Sequence, residues 1–229
     1  MTIVKQSERE VSRVTRSKAE ARQSYDLLSR WYDLLAEPSE RGLREIGLRM
    51  LAVKNGETVL EIGFGTGHGI LALARAVGDS GKVYGIDISP RMREITEARV
   101  RQAGLSSRVD LTIGDATTLP YQNDFFDAIF ISFTLELFDT PDIPVVLREC
   151  RRVLRPNGRM GVVGLSKTGG TGRMTRLYEW AHQKIPRYLD CRPIFVQQSL
   201  EDAGFHIVDV VHASTWGLAV EIVLARKDG

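Results

Sequence analysis

The sequence has few cysteines, no long apolar run and almost no net charge. Its two cysteines, Cys150 and Cys191, cannot form a disulfide framework or a four-ligand zinc site, so they are interpreted as free thiols in a reducing compartment. No apolar run approaches the ~18 residues of a membrane span, and the N-terminal MTIVKQSERE lacks the apolar segment of a signal peptide. The sequence therefore predicts a cytoplasmic protein. With 31 basic and 29 acidic residues, the net charge of +2 neither favours nor excludes nucleic acid as a partner.

The length of 229 residues fits one domain with a short appendage. Residues 1–22 are polar and basic and predict a solvated arm, and residues 23–229 are expected to form a single domain. Apolar residues at helical spacing predict one helix over 24–37 and a second from Ser39. Residues 166–193 interrupt the alternation of strands and helices in the later part of the sequence and are expected to form an insert.

From residue 57 onward, short apolar strands alternate with helical segments. Five such strands, each rich in Val, Ile and Leu, are separated by helices, which is typical of a parallel sheet covered on both faces. Two further strands near the C-terminus are joined by a short turn and predict an antiparallel pair at one edge. The expected fold is α/β, with a doubly wound, mostly parallel seven-stranded sheet and an antiparallel C-terminal edge strand.

A glycine-rich loop follows the first strand in VLEIGFGTGHG, residues 59–69. It lies between a strand and a helix, which is where nucleotide-type ligands bind in such sheets. The spacing disfavours the dinucleotide fingerprint G-x-G-x-x-G, because the sixth position counted from Gly63 is His68. No Gly-Lys-Ser/Thr follows, which disfavours a phosphate-binding lysine loop as well. Glycines alone also serve tight turns, and the loop needs supporting residues to indicate a ligand.

Two carboxylates supply that support. Asp87 ends the second strand, 24 positions after Gly63, where a carboxylate can accept hydrogen bonds from ribose hydroxyls, and Ile88 offers an apolar surface to a base. Asp115 follows the third strand and could accept a hydrogen bond from an exocyclic amine. Glu61 and the helix N-terminus after the loop suit a zwitterion such as an amino acid. Together these positions predict an adenosine ligand with an amino-acid end.

The motifs VLEIGFGTG, IDISPRM, GDATTLPYQNDFFDAI and LRECRRVLRPNGRMGVV occur in this order, and the chain resembles the class I S-adenosylmethionine-dependent methyltransferases. The resemblance covers about residues 24–165 and the C-terminal strand pair, and it is to the branch that methylates quinone precursors and other small molecules. It implies a Rossmann-like fold, S-adenosylmethionine as cofactor, and methyl transfer to a small-molecule or lipid-like acceptor. A phospholipid amine acceptor, or an inactive S-adenosylmethionine-binding regulator, stays open as an alternative.

The same resemblance implies a set of cofactor-binding residues. They cover the methionine end, the ribose and the adenine, and they are Tyr25, Tyr32, Glu61, Gly63, Gly65, Gly67, Asp87, Ile88, Met92, Asp115, Ala116 and Phe133. Structural roles stay open for several of them: Asp87 as a helix cap, Asp115 as a turn residue, and the two tyrosines as core residues.

No catalytic base is established by the sequence, and the candidates are His182 and His68. Relatives build an acceptor lid after the fifth strand, where the 166–193 insert carries six basic residues against two acidic ones. The insert could therefore dock on an anionic inner-membrane face, or it could simply be solvated. Nucleic acid is not expected as a substrate, because SFTLELF replaces the Asn/Asp-Pro-Pro-aromatic motif and Cys150 is misplaced for a cytosine-5 enzyme. No metal is expected, and the sequence does not indicate an oligomeric state.

Overall fold

The computed structural model describes residues 37–168 and 192–229. The helices are α1 Glu37–Leu51, α2 His68–Ala76, α3 Pro90–Gln102, α4 Ile143–Val153 and α5 Val196–Asp202. The strands are β1 Thr58–Ile62, β2 Lys82–Asp87, β3 Val109–Ile113, β4 Phe126–Ser132, β5 Leu154–Leu165, β6 His206–Thr215 and β7 Leu218–Arg226. Short 3-10 helices cover Ser106–Arg108 and Leu135–Leu137.

The strands form one seven-stranded sheet in the order β3-β2-β1-β4-β5-β7-β6. β1 to β5 are parallel, β7 runs antiparallel to β5, and β6 runs antiparallel to β7. The predicted doubly wound sheet with antiparallel C-terminal strands is confirmed. The last strand, β7, lies one position inside the edge, and β6 forms the edge itself.

The core lies on both faces of the sheet, which explains the apolar strands. One cluster joins β-strand residues to α1, α2 and α3, including Leu51, Leu73 and Val100. The other joins the opposite face to α4 and α5, including Val146, Cys150 and Leu200. Strand residues such as Leu60, Ile129 and Val162 are fully buried between these two clusters. Because β1 pairs in parallel with both β2 and β4, the carboxyl ends of these three strands lie side by side.

Local signals in the sequence place the helix that follows β2. The Ser89 hydroxyl accepts a hydrogen bond from the Met92 amide at 3.2 Å, and Pro90 stands in the first turn, as the sequence predicts. Gly104 follows the end of this helix with a φ of 70°. β5 begins at Leu154 rather than near Gly158, because the segment before Arg159 pairs with β4 through an irregular register.

Several predictions fall on residues outside the described ranges. These are the basic arm over 1–22, residues 24–36 of the helix predicted over 24–37, and residues 169–191 of the insert. Among the helices within 37–168 and 192–229, none has the length and apolar character needed to cross a membrane.

Candidate functional site

The glycine loop after β1 has a backbone that only glycine adopts easily. Gly63, Gly65 and Gly67 have φ angles of 71°, 49° and 87°. A Cβ on Gly63 would lie 2.3 Å from Cγ2 of Thr134, and one on Gly67 would lie 2.6 Å from Cγ2 of Thr96. The loop is therefore held between the segment after β4 and helix α3.

Gly65 differs from its two neighbours because its side-chain position is open. Within residues 37–168 and 192–229, a Cβ there would meet no atom within 4 Å. The Gly65 amide donates to Oδ2 of Asp87 at 2.9 Å, and the Ser89 amide donates to Oδ1 of the same carboxylate, also at 2.9 Å. Asp87 thus joins the loop to the end of β2, and no described residue fills the space above Gly65.

Glu61 is a buried carboxyl that lies directly beneath the loop. It is 3% exposed, and its Oε1 would lie 2.0 Å from a Cβ on Gly69, so only glycine fits in the first turn of α2. Its Oε2 has no hydrogen-bond partner among the described residues. Burial raises the pKa of Glu61 to about 8, with Arg44 opposing the rise and Asp87 adding to it. A buried carboxyl with one unpaired oxygen is costly unless a ligand completes it.

Glu136, in the 3-10 helix after β4, is the second buried carboxyl at this edge. Burial also raises its pKa to about 8, against an ordinary value of 4.5. Because the folded chain keeps protons on Glu61 and Glu136 that the unfolded chain releases, the free energy of unfolding should fall as pH rises from about 4.5 to about 8. Each group contributes up to about 1.4 kcal/mol per pH unit in that window.

Chemical denaturation of the cofactor-free chain at a series of pH values measures this slope. Glu61→Gln and Glu136→Gln, made singly, should each reduce the decline, and the exposed Glu94→Gln should leave it unchanged. An identical slope in wild type and both variants would contradict the prediction.

Helix α2 begins at the loop without a side-chain cap. Gly67 is its N-cap residue and makes no side-chain hydrogen bond, so the first turn presents backbone amides of the kind that bind carboxylates. The half-buried His68 stands at the start of this helix, with its Nε2 2.8 Å from Nη1 of Arg99, which also donates to the Thr66 carbonyl at 2.8 Å. Nε2 of His68 therefore accepts from a guanidinium, and a role for His68 as base stays a prediction.

The residues predicted to bind adenine follow Asp87 in the sequence. Asp115 accepts a hydrogen bond from the Thr117 amide at 2.9 Å, which makes it a turn residue whatever else it binds. Ala116 and Met92 are buried, and Ile88 is half-buried. The Gly114 amide donates to the Asp87 carbonyl at 2.9 Å, which ties this segment to the end of β2.

Phe133, the residue directly after β4, has a strained backbone conformation. Its φ is 49°, which is rare for a bulky side chain, yet it is 6% exposed and its amide donates to the Val163 carbonyl at 2.8 Å. The next residue, Thr134, was not predicted; its Oγ1 donates to the Ser132 carbonyl at 2.9 Å and lies against Gly63. Strain of this kind concentrates at ligand sites, and it fixes where the segment after β4 meets the glycine loop.

These features fit an adenosyl sulfonium with an amino-acid end. The unpaired oxygen of Glu61 suits an ammonium, the amides of α2 suit a carboxylate, and the open face of Gly65 leaves room beside Asp87. The described residues do not include Tyr25, Tyr32 or His182, so the structure does not test their predicted roles. In the described part of the chain, no three histidine, cysteine or acidic side chains gather as metal ligands would.

Comparison with known proteins shows which families and proteins this chain is similar to. Residues 59–158 match the family described as "Methyltransferase domain". The chain is 36% identical over 135 residues to a demethylmenaquinone methyltransferase of Lactobacillus johnsonii, a match that covers 59% of the chain and 54% of the relative. It is 34% identical over 147 residues to a 2-phytyl-1,4-naphtoquinone methyltransferase of Synechococcus elongatus, covering 62% of each. The chain thus spans a little over half the length of these curated relatives.

Solved structures share the fold over most of the chain. An S-adenosylmethionine-dependent methyltransferase from Aquifex aeolicus is 26% identical, with a TM-score of 0.64 over 86% of this chain and 97% of that one. The [4+2]-cyclase SpnF is 22% identical, with a TM-score of 0.73 over 93% of this chain and 97% of that one. The second likeness concerns the fold alone.

Proposed function

We propose that this chain, which carries a methyltransferase domain over residues 59–158 on a Rossmann-like sheet, transfers a methyl group from S-adenosylmethionine to a quinone-precursor type of small molecule. The observation that carries the proposal is the hydrogen bond between Asp87 and the Gly65 amide. It brings the carboxylate expected to bind the ribose against the glycine loop expected to bind the methionine end. The relatives named for demethylmenaquinone and phytyl-naphthoquinone support the acceptor class.

Cofactor binding would divide among the residues described above. Glu61 and the first turn of α2 would hold the amino-acid end, Asp87 would accept hydrogen bonds from the ribose, and the buried Ala116 and Met92 would lie near the base. When bound, the cofactor supplies a sulfonium-activated methyl group. The task of the chain is then to align the acceptor and exclude water, and alignment alone can lower a barrier by several kcal/mol, about 7 or more in well-oriented cases.

The acceptor would approach from the same edge of the sheet. Ser166 pairs with Ile194 in a parallel bridge, and the Lys167 amide donates to the Ile194 carbonyl at 3.0 Å. The insert expected as an acceptor lid therefore leaves and rejoins the sheet at one point, next to the end of β5. Contact of its basic residues with anionic lipid stays a prediction, since residues 169–191 lie outside the described ranges.

A methyl-transfer assay tests the proposal. The full chain is incubated with methyl-labelled S-adenosylmethionine and a short-chain demethylmenaquinone in its reduced form, and mass spectrometry follows both the methylated product and S-adenosylhomocysteine. We expect both products to form in equal amounts. Parallel reactions contain phosphatidylethanolamine or a total lipid extract.

The outcomes separate the alternatives. Methylation of phosphatidylethanolamine alone would replace the quinone-type acceptor with a phospholipid amine. Tight cofactor binding by calorimetry, without S-adenosylhomocysteine from any acceptor, would identify an inactive cofactor-binding protein and refute the proposed activity.

A further inference from the structure

The buried Glu136 carboxyl has no role in the cofactor site described above. It is fully buried in the 3-10 helix after β4, in an otherwise apolar stretch, SFTLELF. Its Oε1 accepts a hydrogen bond from the Leu165 amide at 3.1 Å, which fixes the carboxyl against the end of β5. Its Oε2 has no hydrogen-bond partner among the described residues.

Glu136 and Glu61 are matched features at neighbouring strand ends. Both are buried, each leaves Oε2 unpaired, and β1 and β4, which carry or precede them, are adjacent in the sheet. An unpaired buried carboxyl oxygen costs about 1–3 kcal/mol, so each such group in a native structure calls for an explanation, and a bound ligand is one. The proposed cofactor would pair with Glu61, and a different ligand would pair with Glu136.

The position of Glu136 indicates which ligand that is. On one side, Thr134 contacts Gly63 of the cofactor loop, and on the other, Glu136 contacts Leu165, where the chain leaves for the 166–193 insert. Glu136 thus lies between the cofactor loop and the point at which Ser166 bridges to Ile194. An acceptor held between these two features would have its reacting atom near the proposed cofactor site.

The surroundings of the carboxyl are apolar. Leu135, Leu165 and Val196 are buried, and a Cβ on Gly164 would lie 3.1 Å from Oε2 of Glu136 and 3.4 Å from Val196. Glu40 of α1 and the buried Arg192 act electrostatically on the carboxyl with opposite sign. Such a site suits an apolar ring with one hydroxyl group, since the ring contacts the aliphatic side chains and the hydroxyl can donate to Oε2.

We propose that Glu136 binds the acceptor, with Oε2 exchanging a hydrogen bond with a ring hydroxyl, as in a naphthol or a reduced quinone. The inference rests on the proposed function, since it names the residue that holds that function's acceptor. It also assigns a specificity: a ring that lacks the hydroxyl leaves Oε2 unpaired and binds more weakly.

A binding experiment tests the assignment without turnover. 1-Naphthol and naphthalene are each titrated into the full chain saturated with S-adenosylhomocysteine, with calorimetry or fluorescence as the readout. Wild type should bind 1-naphthol at least about tenfold more tightly than naphthalene, as expected for a hydrogen bond to a carboxyl group. Glu136→Leu, which keeps a side chain of similar size and removes both oxygens, should remove most of this preference while leaving the affinities for naphthalene and S-adenosylmethionine within about twofold.

Two further variants keep the test decisive. The exposed Glu201→Gln on α5 is the matched control and should behave as wild type. Gly164→Ala keeps the carboxyl and crowds Oε2, so it should also weaken the binding of 1-naphthol, which supports the assignment if Glu136→Leu folds poorly. Equal affinities for the two probes in wild type, an unchanged preference in Glu136→Leu, or a matching loss of S-adenosylmethionine affinity would overturn the proposal. Failure of the methyl-transfer assay would refute the activity and leave this hydroxyl preference measurable.

Discussion

Replacing Gly63 with alanine is expected to destabilise the folded chain by about 3 kcal/mol and to abolish measurable S-adenosylmethionine binding. The new Cβ would lie 2.3 Å from Cγ2 and 2.4 Å from Oγ1 of Thr134, so the segment after β4 must move. The φ of 71° adds the strain of a left-handed alanine. Chemical denaturation and calorimetry measure the two effects.

Two other glycines separate folding from binding. Gly65→Ala has a free side-chain position and should lose only about 1 kcal/mol from its left-handed backbone, yet the added methyl enters the space expected for the cofactor and should weaken its affinity by at least about tenfold. Gly42→Ala lies in helix α1 with nothing within 4 Å and should stabilise the chain by about 0.5–1 kcal/mol without changing affinity. Full cofactor affinity in Gly65→Ala would remove the glycine loop from the proposed site.

Asp87→Ala should weaken S-adenosylmethionine binding by at least about tenfold, because a carboxylate is worth about 1.5–3 kcal/mol in hydrogen bonds with hydroxyls. The substitution also leaves the Gly65 and Ser89 amides without their acceptor, so a stability loss of about 1–2 kcal/mol is expected, with the fold retained. Calorimetric titration with S-adenosylmethionine and thermal unfolding record the two changes.

The companion variants are Asp87→Asn and Asp110→Ala. The amide of asparagine keeps one acceptor for the loop, so Asp87→Asn should be more stable than the alanine variant and still bind the cofactor more weakly than wild type. Asp110 is exposed on β3 and its loss should change neither quantity. Unchanged cofactor affinity in Asp87→Ala would remove the ribose assignment and with it much of the support for methyl transfer.

The sequence predicts the fold well because its signals are local. Ser89, Pro90 and Gly104 mark the ends of α3 through hydrogen bonds and backbone angles within a few residues, and the apolar strands identify a sheet buried on both faces. The glycine loop and Asp87 were found for a related reason, since strand ends in a parallel sheet meet at one edge.

The sequence does not predict the contacts of Thr134 and Glu136, because these contacts join distant segments. Thr134 meets a glycine 71 positions earlier, and Glu136 accepts from an amide 29 positions later. No spacing rule connects such pairs. The one signal in the sequence is the lone glutamate in SFTLELF. For Asp115 the structure shows the structural role, a turn hydrogen bond accepted from the Thr117 amide. Its role in binding adenine stays a prediction.

The place of β7 within the sheet has a consequence for synthesis on the ribosome. β7 ends at Arg226 and is hydrogen-bonded on both sides, to β5 and to β6, so β6 reaches the sheet only through a strand that is translated after it. While β7 is still within the ribosome, β5 presents an open row of amides and carbonyls to other nascent chains. We expect the sheet to close only after β7 has left the ribosome, and we expect the chain to be more prone to aggregation before that point than after it.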